Sequence, residues 1–191
     1  MFQPVYAFER DTENSLLDSL GASEYGFEYD DNDHISRGEF MISLAKLMTG
    51  EEVSSQNAFE IIKTAQLTTA QNLQEYNAGN DILVDEAVKI VVCLLGRNDV
   101  AQINGGYPDG YYKIAYDIRL LKGIDVKKGA ELTKGQCRAI FINMLNIEVT
   151  EVSGIINDIV NYNSAGETFL EYYRDIFVKT GIIEKNEYTS I

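Results

Sequence analysis

Apolar residues recur along this chain at helical intervals, and they do so three times in one register. In the run Phe40-Met41-Ile42-Ser43-Leu44-Ala45-Lys46-Leu47-Met48, the residues Phe40, Leu44, Leu47 and Met48 stand at offsets of zero, four, seven and eight. That spacing places side chains on one face of an α-helix. The columns Ala87, Val91, Leu94, Leu95 and Cys137, Phe141, Met144, Leu145 repeat the pattern 47 and then a further 50 residues along. Self-similarity at such a period marks one supersecondary unit copied several times, each copy too small to bury its apolar face alone.

A short motif opens each run: Ile35-Ser36-Arg37-Gly38-Glu39-Phe40, Ile82-Leu83-Val84-Asp85-Glu86-Ala87 and Leu132-Thr133-Lys134-Gly135-Gln136-Cys137. Ser36 with Glu39 three residues later spells a capping box, in which hydroxyl and carboxylate each satisfy a free backbone N–H. Thr133 with Gln136 spells it again. The second copy has Leu83 in place of the hydroxyl, so its helix start is expected to be weaker by about 1 kcal/mol, with Asp81 as the nearest substitute cap. Residues 14–21, 55–68 and 110–122 carry further apolar sets that predict a helix ahead of each motif, making the unit helix, loop, helix. Tyr107-Pro108-Asp109-Gly110 reads as a type I turn leading into the last of these, and Lys122-Gly123 reads as its end. The repeats divide the chain at 1–53, 54–100 and 101–149, with 150–191 as a tail.

In that tail, Phe169, Leu170, Tyr173, Ile176 and Phe177 predict an amphipathic helix from Glu167 to Thr180, between Gly166 and Gly181. Ile182-Ile183 and Tyr188 read as strand-like. The tail is expected to begin a further domain.

With 191 residues, 45% of them hydrophobic and only 2 Pro, the chain can bury a core of its own. No run approaches the length of a membrane span, and Met1-Phe2-Gln3-Pro4-Val5 lacks the features of a signal peptide. The formal charge of −14, from 30 acidic and 16 basic residues, argues against nucleic acid as a partner, since phosphate binding rests on clustered Lys and Arg. Cys93 and Cys137 fall in different columns of the repeat, so no disulfide is expected between them.

Chemistry is sparse. His34 is the sole histidine; a base held by Asp33 and serving Cys93 or Cys137 is conceivable, but a polar loop residue ahead of a helix cap explains it fully. Asp30-Asp31-Asn32-Asp33 fails as an EF-hand loop, because counting from Asp31 puts Ile35 and Ser36 where an oxygen ligand and a glycine belong. Gly105-Gly106 lacks the Lys-Ser/Thr of a phosphate loop. Neither a catalytic centre, a cofactor nor a metal is expected.

The aligned motifs resemble the S-layer homology (SLH) family, whose repeats open a helix with hydroxyl, Arg, small residue, Glu. Ser36-Arg37-Gly38-Glu39 matches that signature, and Gly105-Gly106-Tyr107-Pro108-Asp109-Gly110 with Leu120-Leu121-Lys122-Gly123-Ile124 is similar to the variant in clostridial surface proteins. The resemblance covers residues 10–149. It implies an all-α fold, three helix-loop-helix repeats in a pseudo-threefold assembly around a central three-helix bundle. It also implies an exported, noncatalytic module at the cell surface that binds a pyruvylated secondary cell-wall polysaccharide in grooves between repeats, the motif arginine meeting a ketal carboxylate with its fork.

At the arginine position the copies read Arg37, Val84 and Lys134. The resemblance therefore implies one competent groove near Arg37, a weaker one near Lys134 and none at Val84. Ser36, Glu39 and Tyr112 complete the expected glycan-binding set, with Tyr112 or Tyr116 as a sugar-stacking face in a chain without Trp. Two readings stay open: Arg37 as an ordinary surface side chain paired with Asp33 or Glu39, and the whole as a degenerate SLH module serving as a structural or protein-interaction scaffold with surface-protein partners.

Overall fold

The computed structural model describes residues 15–22, 31–156 and 159–177. Residues 15–19 are helical (α1). There follow α2 (Arg37–Thr49), α3 (Ser55–Thr64), α4 (Leu73–Tyr76), α5 (Val84–Leu94), α6 (Asn98–Ile103), α7 (Asp109–Asp117), α8 (Lys134–Leu145), strands β1 (Glu148–Ile156) and β2 (Ile159–Thr168), and α9 (Phe169–Arg174). The strands pair antiparallel, from Glu148 with Thr168 to Ile156 with Ile159. The expected all-α class is therefore corrected to mostly α with a small sheet. No helix among the described residues is long and apolar enough to cross a membrane.

The three motif helices are α2, α5 and α8. Capping boxes open α2 at Ser36 and α8 at Thr133, while Leu83 gives α5 no side-chain cap and Asp81 does not supply one. Every residue of the three apolar columns is buried, and the Phe40 and Phe141 rings lie 5.3 Å apart between α2 and α8. On α2 burial runs without a break from Phe40 to Met48 and takes in Ser43 and Lys46. That helix is sunk in the core on all sides, more than a one-faced stripe requires. Lys46 extends its ammonium to Glu52, 2.6 Å away.

Two closed sets of backbone hydrogen bonds join the three motifs. Ile35 N–H donates to Leu132 O (3.1 Å), Leu132 N–H to Ile82 O (2.8 Å), and Ile82 N–H to Ile35 O (3.1 Å). Two residues further on the sense reverses: Arg37 N–H donates to Asn80 O (2.8 Å), Val84 N–H to Ala130 O (2.9 Å), and Lys134 N–H to Asp33 O (2.8 Å). The approach is so close that the next position favours glycine. A Cβ on Gly38 would lie 2.9 Å from Ala78 O, and one on Gly135 would lie 2.9 Å from the Asp31 side chain. Asp85 holds that place in the second copy.

The helices that precede the motifs stop earlier than their apolar pattern. Past α3, Gln66 takes a left-handed backbone, and past α7, Arg119 does the same. Leu120 and Leu121 are still buried, presented from a turn whose carbonyls at Leu120 and Lys122 accept from the Asn143 amide at 2.9 and 3.0 Å. The Tyr107–Pro108 peptide is cis, Pro108 has right-handed helical backbone, and Gly110 N–H donates to Gly106 O at 2.7 Å as the segment enters α7.

In the tail, β2 runs through Thr168, and a capping box of Thr168 and Glu171 starts α9 there. Asp175, with φ 52°, ends it, so the helix expected from Glu167 to Thr180 spans Phe169–Arg174. Residues 178–180, Gly181, Ile182-Ile183 and Tyr188 lie outside the described residues. Phe169 and Leu170 are buried in the same core as the motif helices. Thr150 N–H bonds Leu95 O at 3.2 Å, and Arg97 bonds Glu148 O at 3.1 Å. Arg174 reaches the carbonyls of Leu20 and Leu47 at 3.1 and 3.4 Å. A cation on the last carbonyls of α2 complements both their free lone pairs and the helix dipole.

Candidate functional site at the seams between copies

Positions 37, 84 and 134 each donate a backbone N–H to the segment that leads into another motif (Asn80, Ala130 and Asp33), so each side chain starts from a seam where two motif segments meet. The seams differ in what they offer.

At the first seam Arg37 turns to Glu86, not to Asp33 or Glu39. Its Nε and Nη2 donate to one oxygen, Oε2, at 3.0 and 2.7 Å, and both side chains are about a quarter exposed (24% and 25%). Nη1 makes no hydrogen bond among the described residues. The pairing follows from the sequence difference at the α5 start. Glu39 and Gln136 fold back on the N–H groups of Ser36 and Thr133 to complete their caps. With Leu83 in the cap place, Glu86 has no box to close and is left for the arginine. Beside this pair sits Tyr76, 5% exposed, whose hydroxyl has no hydrogen-bond partner among the described residues. Burial first, then the Glu86 charge, pushes its pKa well up, with Arg37 opposing.

Ser36 and Glu39, both expected to touch glycan, spend their polar atoms on the cap. Ser36 N–H and Oγ donate to Glu39 Oε2 at 2.8 and 2.7 Å, and Glu39 N–H donates back to Ser36 Oγ at 3.2 Å. They hold the first turn that carries Arg37.

The second seam has Val84, buried, and no cation at the motif position. Asp85 closes it instead, accepting from Tyr112 Oη at 2.7 Å and from Gly129 N–H at 3.0 Å. Tyr112 is only 4% exposed, so its ring offers no stacking face to a sugar. Burial and the bond to Asp85 push its hydroxyl pKa far up, and Lys128 lies over the ring at 5.1 Å. The aromatic faces open to solvent here are Tyr116 and Tyr107, 56% and 53% exposed.

At the third seam Lys134 is half-buried, and its ammonium makes no hydrogen bond or ion pair among the described residues. Next to it Arg138, 7% exposed, donates from Nη1 to Asp31 Oδ1 at 2.6 Å. Availability thus inverts the order drawn from residue type alone. Among the described residues the flexible cation is open, and the forked one is already engaged.

Nucleophilic chemistry finds no support in the thiols. Burial raises the pKa of Cys93 and raises that of Cys137 much further, the reverse of what an activated thiolate needs. His34 faces the carboxylates of Glu131 and Asp81, and Asp33 does not hold it. Glu86, Tyr76, Asp85, Arg138 and Asp31 are the seam residues that motif reading missed. Only Glu86 had a sequence signal, the missing hydroxyl at position 83. No family model and no curated protein matches the chain.

Proposed function

We propose that this chain is a noncatalytic anchoring module of the SLH type, exported to the cell surface, that binds an anionic, pyruvylated secondary cell-wall polysaccharide at the seams between its copies. The observation that carries this reading is the double set of cyclic hydrogen bonds among equivalent motif residues. It supports a pseudo-threefold arrangement of the three copies, with the motif position of each at a seam. Two of those positions bear cations in a chain of net charge −14, and a carboxylate-bearing sugar is the ligand that cations at such positions suit. Lys134 supplies an open charge and Arg37 supplies Nη1. Exposed Tyr116 and Tyr107 supply apolar ring faces.

One observation favours a second reading, a scaffold that kept the fold without glycan binding. Glu86 holds the fork of Arg37 and places a negative charge where the ligand's own carboxylate would come. Pelleting with cell-wall sacculi, before and after removal of the secondary polysaccharide, separates the two. Anchoring requires pelleting that disappears with the polysaccharide and weakens tenfold or more in Lys134→Ala, the worth of a charge-assisted contact of about 1.5–3 kcal/mol. No pelleting, or pelleting indifferent to the polysaccharide, assigns the module to the scaffold reading.

A further inference from the structure

The residue before each of Ile35, Ile82 and Leu132 is a metal-ligand type: His34, Asp81 and Glu131. Extended backbone sends successive side chains to opposite faces. Since Ile35, Ile82 and Leu132 are fully buried, their predecessors turn outward together at one end of the ring. Backbone bridges fix all three, His34 with Thr133, Asp81 with Ser36, and Glu131 with Leu83. One ligand atom of each lies within 4.8 Å of the other two. His34 Nδ1 is 2.9 Å from Glu131 Oε2 and 3.7 Å from Asp81 Oδ2.

We propose that His34, Asp81 and Glu131 form a site for one divalent transition-metal ion, with Zn2+ the best fit, bound by one imidazole nitrogen and two carboxylate oxygens. Mg2+ and Ca2+ take oxygen ligands and want six or more of them, whereas Zn2+ accepts nitrogen and oxygen at low coordination number. Ligand atoms about 2.0–2.1 Å from a tetrahedral zinc sit roughly 3.4 Å from one another. The three atoms here are near that spacing, and side chains that are 46%, 42% and 50% exposed can close the remainder by small rotations. The same exposure leaves the fourth position to water or an incoming ligand. A dication also offsets the charge of the two carboxylates, both of which face the imidazole.

Each ligand comes from a different copy, so the ion joins the three motifs at a single point. None of the seam residues takes part, and the site stands whether or not the chain binds glycan.

Calorimetric titration of the full chain with ZnCl2, and separately with MgCl2, tests the assignment on wild type, His34→Ala, Asp81→Asn, Glu131→Gln and the exposed control Glu60→Gln. Circular dichroism checks that each variant is folded. One Zn2+ per chain is expected, weakened tenfold or more by each of the three ligand substitutions and unchanged by Glu60→Gln. Zn2+ should raise the Tm of wild type and leave that of His34→Ala in place, because only a site present in the folded state stabilises it. Absence of Zn2+ binding, uptake of equal affinity in His34→Ala, or Mg2+ bound as tightly as Zn2+ would each overturn the proposal.

Discussion

Leu83 shows how much one side chain decides. A hydroxyl at that position would draw Glu86 back to the α5 N-terminus, as Ser36 draws Glu39, and would release the Arg37 fork at the first seam. Leu83→Ser is therefore expected to complete a third capping box, worth about 1 kcal/mol to that helix start, and, on the anchoring proposal, to strengthen polysaccharide-dependent pelleting. Where wild type pellets with the polysaccharide, a variant with unchanged pelleting would show that Glu86 does not restrain Arg37. Tyr112 is a second case, since its phenol reads as a stacking face in the sequence but is spent on Asp85. Tyr76, Tyr112 and Tyr173 all have raised pKa values in the fold, Tyr173 to about 12, through burial first. The folded state holds these protons more tightly than an unfolded phenol of pKa about 10, so their contribution is complete below about pH 10 and is lost as pH rises through that value toward the folded ones. Alkaline unfolding followed by circular dichroism should begin above about pH 10, and Tyr112→Phe should make the decline shallower. Residue identity was plain in the motif. Availability was not, because it depends on partners some 50 positions away, as Arg37 and Glu86 show.

At the scale of elements, the motif helices were readable because capping chemistry and apolar period agree at Ser36 and Thr133. The preceding helices were overdrawn. Apolar spacing continues through Leu67 and Leu121, but left-handed residues at Gln66 and Arg119 end the helices first, and a buried leucine on a turn leaves the same trace in the sequence as one on a helix. The sheet was missed for a related reason. Val149, Thr150 and Val152, then Ile159 and Val160, are β-branched residues suited to strands, yet Gly154 and Asn157-Asp158 interrupt them, and a short interrupted apolar run carries no clear period. Thr168 and Glu171 mark the true start of α9 with the same capping grammar as α2. Phe169 is fully buried against the body of the protein, and Phe169→Ala should cost about 3–5 kcal/mol in urea unfolding. A loss well under 1 kcal/mol would mean that the helical body is indifferent to α9.

For the whole molecule, the ring through Ile35, Ile82 and Leu132 sets a behaviour that an open row of repeats lacks. In a row, each unit leans on its neighbours, the terminal units have one neighbour only, and melting can start at the ends and creep inward. A closed ring has no ends. Losing any one motif segment breaks the backbone hydrogen bonds to both of the others, so partial melting gains little. Cooperativity should accordingly exceed what three units of about 50 residues would show alone. The chain has 12 Tyr and no Trp, which makes tyrosine emission a reporter spread over the copies. Its urea transition is expected to coincide in midpoint with the loss of helical circular dichroism, whereas two separated midpoints would mean that the copies let go one at a time.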